Sequence, residues 1–204
     1  MPKPVLSCIA AVALLAATAL ACAAPPPASD IAVHVERDGA TFLVAAEFSV
    51  AASVDQVWDV LADFDRMAQI LSSVDASRIT NREGNRFEVV QKSHGSAGPI
   101  RISQDSVRQV ELTPKREIRS HLLKGDLKAS DFTTSIGDES GVSKITVRGK
   151  FVVGGMAGSV LTVEAVEAQT RRNYQELREE ILRRKSNEPP PPCLLTKTCQ
   201  PGPG

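Results

Sequence analysis

The sequence predicts an α+β fold, a curved antiparallel sheet of about seven strands with helices on one face. Three observations lead there. After residue 50 the apolar pattern changes from strand-like alternation to helical spacing. Between residues 77 and 153, β-favouring segments follow one another across short turn signals. Finally, one long amphipathic stretch ends the patterned region.

The first strand is TFLVAAEFSV, residues 41–50, with Phe42, Val44, Ala46, Phe48 and Val50 on one side. Ser53 and Gln56 then have capping-box spacing, and Val54, Val57, Trp58 and Leu61 form one helical stripe. Asp55 in the first turn suits the helix dipole. A second short helix is predicted over Asp65–Leu71. Candidate strands follow at Ser77–Asn81, Arg86–Ser93, Ile100–Leu112, Glu117–Leu123, Lys128–Ile136 and Ser143–Val153. The links between them are short and rich in Gly, Pro, Asn and Asp, among them Gly95-Ser96-Ala97-Gly98-Pro99, so the strands read as an antiparallel meander. Past Gly154-Gly155 a single helix is predicted over Ser159–Lys185. Its buried stripe is Val163, Val166, Thr170, Tyr174, Leu177 and Ile181, opposite a charged face that includes Glu164, Arg171, Glu176 and Arg178.

The ends of the chain read differently. Lys3, the apolar run Val5–Leu20 and the small residues before Ala24 have the form of an export signal over residues 1–23, followed by a Pro-rich linker over 24–30. An uncleaved anchor, or a lipid on Cys22, is the alternative. Six of the 13 prolines fall in a tail over 186–204, where an extended polyproline chain precedes a loop bounded by Cys193 and Cys199. Removal of the signal takes Cys8 and Cys22 with it. The remaining pair reads as a Cys193–Cys199 disulfide in an oxidising compartment, periplasmic or secreted, with free thiols or intermolecular bonds as the alternatives.

Composition narrows the chemistry. The 24 Lys and Arg balance 24 Asp and Glu, which excludes a broad basic face for nucleic acid, and one Trp with one Tyr provides no stacking platform. No Cys or His cluster supplies the four ligands of zinc, and no motif implies a cofactor. His34, His94 and His121 have no carboxylate at short spacing, so each reads as a surface or structural histidine. Ser93, Ser103 and Ser130 lack a nucleophile-elbow context, and no catalytic residue is assigned.

The stretch from Phe48 to Asp65, with V-W-D-V-L-A-D-F at Val57–Phe64, resembles the opening of the START-like, or SRPBCC, superfamily, which includes polyketide cyclase/dehydrase-like and coenzyme-Q-binding proteins. The order of elements matches over Ile31–Lys185; Ala51-Ala52 stand where a proline is common. The resemblance implies a helix-grip fold with a hydrophobic cavity between sheet and terminal helix. Candidate walls are Trp58, Leu61, Phe64, Phe87, Val89, Phe132, Ile145, Val147, Phe151, Val163, Val166, Tyr174 and Leu177. With such walls and no net charge, the expected partner is a neutral or weakly polar hydrophobic small molecule, a lipid, quinone or polyketide. A transient membrane contact is compatible with such a carrier, and the oligomeric state stays open. Two other readings remain: a cyclase or dehydratase using a cavity His or Tyr174 as acid/base, and an adaptor docking through the tail. The lack of a convergent acid/base pair favours binding over catalysis.

Overall fold

The computed structural model describes residues 31–97, 100–155 and 157–187. The export signal, the linker and the Cys193/Cys199 tail lie outside the described residues. The strands are β1 (Ala32–Asp38), β2 (Thr41–Val50), β3 (Val74–Glu83), β4 (Arg86–Ala97), β5 (Ile100–Thr113), β6 (Glu117–Gly125), β7 (Ala129–Glu139) and β8 (Val142–Val152). Between β2 and β3 lie α1 (Val54–Leu61), a 3-10 turn (Phe64–Arg66) and α2 (Met67–Ile70). Two helices follow β8, the short α3 (Ala157–Val160) and the long α4 (Val163–Asn187).

All eight strands form one sheet in the order β1-β2-β8-β7-β6-β5-β4-β3, and every neighbouring pair is antiparallel. The short helices carry the chain from β2 to the far edge at β3, and the meander then walks back until β8 pairs β2. The sheet is curved and unclosed and grips α4, the helix-grip architecture.

Local chemistry explains the elements. Ser53 caps α1 reciprocally with Gln56, as the spacing predicts. The alternation of β2 holds: Phe42, Val44, Ala46, Phe48 and Val50 are all buried. From α4, Leu177 and Ile181 join Phe48, Val57 and Ile145 in the main core, and Val166 joins Phe42, Val44 and Val153 in a smaller one. At the far end of α4, Arg184 donates to Asp63 Oδ2 at 2.9 Å and to the Asp59 carbonyl at 3.0 Å, fixing the helix to the end of α1.

Four sequence expectations are revised. The sheet has eight strands rather than seven, because Ala32–Asp38 pairs with β2 through the two-residue turn Gly39-Ala40. Residues Gly95, Ser96 and Ala97 are not turn but strand, paired with Ile102, Arg101 and Ile100. The terminal helix is split at Leu161-Thr162, because the Thr162 hydroxyl accepts from the Ala165 amide and starts α4 afresh; α4 then ends at Asn187. Nor is the outer face of α4 purely solvated: Glu176 accepts from both the amide and the hydroxyl of Ser72, which ties the helix to the start of β3.

Candidate functional site

Between the inner face of the sheet and α4 lie two abutting chambers of about 330 and 310 Å³. They share Leu71, Phe151, Thr170 and Asn173. Their walls differ in chemistry. The inner chamber is lined mainly by Val44, Leu61, Phe64, Met67, Ile118, Phe132, Tyr174 and Leu177. The outer one is bordered by Ser73, Gln91, Ser93, Gln104, Asp126, Gln169 and Asn173 beside Leu127, Val153, Leu161 and Val166.

Each wall has a local cause. Phe42 and Phe151 stack with ring centroids 5.0 Å apart, and Phe48 meets Tyr174 at 5.4 Å, so the aromatic walls brace one another. On α4, Gln169 donates to Asn173 Oδ1 at 2.8 Å, and the Ser73 hydroxyl donates to the same oxygen at 2.9 Å. This chain fixes the polar part of the outer wall. Asp126 accepts from the Asp105 amide at 2.7 Å, which commits its carboxylate to the backbone. Burial pushes the Tyr174 phenol well above its ordinary value, so at neutral pH it is protonated and cannot act as a base.

His94 and His121 take carboxylate partners from neighbouring strands, and His34 takes one two residues away. His94 Nδ1 lies 3.1 Å from Asp75 Oδ2, and Arg101 donates to Asp75 Oδ1 at 2.9 Å. The His94 hydrogen bond and the Arg101 charge hold the Asp75 carboxyl below its usual range. Nδ1 of His94 also lies 2.9 Å from Arg101 Nη2, which only donates, so the carboxylate and the guanidinium compete for one ring nitrogen and the tautomer decides which bond is made. By strand alternation His94 shares a face of the sheet with Lys92 and Arg101, and this cluster staples β3, β4 and β5 at the rim of the outer chamber, which His94 borders. His121 pairs with Asp131 on the sheet's outer face, and His34 with the neighbouring Glu36 on exposed β1. Among the described residues, no group of three His, Cys, Asp or Glu is placed to hold a metal ion. No helix of the described residues is long and apolar enough to cross a membrane.

Residues 41–182 match the family model described as polyketide cyclase / dehydrase and lipid transport. The chain belongs to this family. The polyketide cyclase/dehydrase and lipid transport fold recurs in solved structures. The protein TTHA0849 from Thermus thermophilus is 16% identical with a TM-score of 0.61, over 70% of this chain and 98% of that one. The Zhui aromatase/cyclase from Streptomyces is 19% identical with a TM-score of 0.57, over 72% and 94%. A STAR-related lipid transfer protein from Xanthomonas axonopodis is 13% identical with a TM-score of 0.58, over 76% and 99%. No curated protein matches the chain in sequence. Family and fold together make this a START-like, hydrophobic-ligand-binding fold.

Within that family fold, seven of the sequence-predicted wall residues border the chambers: Leu61, Phe64, Phe132, Phe151, Val166, Tyr174 and Leu177. The other six do not. Ile145 and Val147 are fully buried where β8 meets its neighbours, Phe87 and Val89 sit in the core, Trp58 packs on its rim, and Val163 belongs to the smaller cluster. Strand alternation finds the inner face but cannot say where along it α4 presses down and where it stands off. The polar wall was missed altogether, although Gln169 and Asn173 stand at i, i+4 spacing beside Thr170.

Proposed function

We propose that this protein is an exported carrier that holds a hydrophobic small molecule in the two chambers under α4. The inner chamber supports the reading: an apolar space of about 310 Å³ between helix and sheet, of the size and lining that ligand sites have. Two chamber groups are withdrawn from base chemistry: the Tyr174 phenol stays protonated and Asp126 is engaged by the backbone.

Titration with quinones and fatty acids tests the reading, followed by displacement of an environment-sensitive probe and by mass analysis for any altered ligand. Val166 borders the outer chamber, where there is room for a larger side chain. Val166→Phe is therefore expected to weaken binding by about tenfold or more while costing less than the ~1–3 kcal/mol of overpacking in a dense core. Unchanged binding with a full overpacking cost would mean that α4 seals a packed core there. A ligand returned cyclised or dehydrated would replace the carrier reading with the enzyme one.

Export is the second part of the proposal, supported by the apolar run and small residues of 1–23. The mature chain is expected to begin near Ala24 with Cys193 joined to Cys199. Intact mass with thiol labelling checks both; a chain retaining Met1, or two readily alkylated tail cysteines, would refute this part.

A further inference from the structure

Arg108 lies on the inner face of β5, between the buried Ser106 and Val110 and opposite Val89 and Leu122 on the neighbouring strands. Its guanidinium is satisfied by hydroxyls alone: Nε donates to Ser120 Oγ at 2.7 Å and Nη2 to Ser130 Oγ at 3.0 Å. Among the described residues no carboxylate forms an ion pair with it. Burial pushes its pKa down; the carboxylate whose field opposes this, Asp131, is engaged by His121 on the outer face. A guanidinium cannot relieve that cost by losing its proton.

The position matters as much as the charge. On the inner face, Ser120 is the next residue after Ile118 and Ser130 the next before Phe132, and Ile118 and Phe132 line the inner chamber. Gln91 and Gln104, on the same face of β4 and β5, line the outer chamber. Arg108 therefore stands in the sheet floor between residues that line the two chambers, one layer behind their surfaces: Arg108, Ser120 and Ser130 do not themselves border either one. Two of its five N–H groups are used, which leaves both of Nη1 and one of Nη2, enough donors for a carboxylate. Ser120 and Ser130, having accepted from Arg108, keep their own O–H groups to donate. One row along the inner face, the buried Ser77 hydroxyl has no partner among the described residues.

We propose that Arg108, Ser120 and Ser130 form an anion receptor, and that the ligand is an amphipathic organic acid with its carboxylate on Arg108 and its apolar body in the inner chamber. This rests on the carrier reading, and it replaces the neutral ligand expected from sequence.

The test compares dodecanoate with its methyl ester on the full mature protein at pH about 8, where an ordinary carboxyl is ionised. The acid is expected to bind about tenfold tighter than the ester or more. In Arg108→Met that ratio is expected to collapse towards one, while the ligand-free variant melts no lower than the parent because a buried unpaired charge is gone. Arg108→Lys keeps the charge, retains part of the preference and guards against a folding failure of the first variant. If the parent binds both equally, or if Arg108→Met melts lower and loses both in proportion, the anion receptor is refuted and the carrier stands. If neither molecule binds, both readings fall.

Discussion

Ile181→Ala is expected to destabilise the fold by about 2–5 kcal/mol, the range for truncating a fully buried aliphatic side chain. Ile181 is 0% exposed and sits in the main core with Phe48, Val57 and Ile145, where every atom removed forfeits dispersion contacts on all sides. Leu177, one turn earlier on the same stripe, is buried to a similar degree but borders the inner chamber. Part of its surface faces empty space, so Leu177→Ala is expected to fall at the low end of the same range. Urea melts of both variants, with unchanged slopes, give the comparison. A larger loss at Leu177 than at Ile181 would mean that the chamber is filled by neighbouring side chains in solution.

The second large effect is expected at Gly149. A Cβ placed there would stand 2.2 Å from Phe132 Cδ1 and 2.6 Å from the Asp131 carbonyl oxygen. Phe132 packs across the bare backbone of Gly149, its cross-strand partner, and it is a wall of the inner chamber. Gly149→Val must push that ring into the chamber, so one substitution should cost at least the upper end of the ~1–3 kcal/mol of overpacking and also abolish ligand binding. Adding Phe132→Ala should recover part of the stability, because the ring is the movable half of the clash; the carbonyl is not. Melts and titrations of the two single variants and the double measure the coupling. Strictly additive effects would show that Phe132 and Gly149 are not in contact.

Much of the architecture is legible in the sequence, for identifiable reasons. Capping chemistry is local, so Ser53 and Gln56 announce α1. Strand alternation is local too, so β2 is found with its buried face correct. The first strand escapes because its apolar pattern is brief: Val33 and Val35 alternate with polar neighbours, and Glu36, Arg37 and Asp38 follow. Yet a glycine opens the two-residue turn Gly39-Ala40, and Gly39 does take a positive φ of 58° there. The site is less legible. Asp75 lies 19 residues from His94 and Ser130 lies 22 from Arg108, so only pairing of the strands brings them together. Arg108 stands between Ser106 and Val110 on its face, a break in the apolar alternation, and the sequence alone cannot say that hydroxyls on two other strands turn it into a buried polar site.

One side chain on the edge of the sheet bears on how fast a ligand could come and go. Arg37 of β1 donates to the Leu161 carbonyl at 2.8 Å and to the Gly158 carbonyl at 2.7 Å, and its guanidinium lies 4.9 Å over the Phe42 ring. The segment it holds contains α3 and the break before α4, and Leu161 and Gly154 from that region border the outer chamber. Because α4 starts afresh at Thr162, its own hydrogen-bond ladder does not run through this segment, and its far end is bound separately to α1 through Arg184. Opening of this segment would cost the two exposed hydrogen bonds, the ring contact and the packing of Leu161 on the smaller core, a local event less costly than global unfolding. Residence time and global stability become separable quantities: weakening the Arg37 latch should shorten the first and leave the second almost untouched.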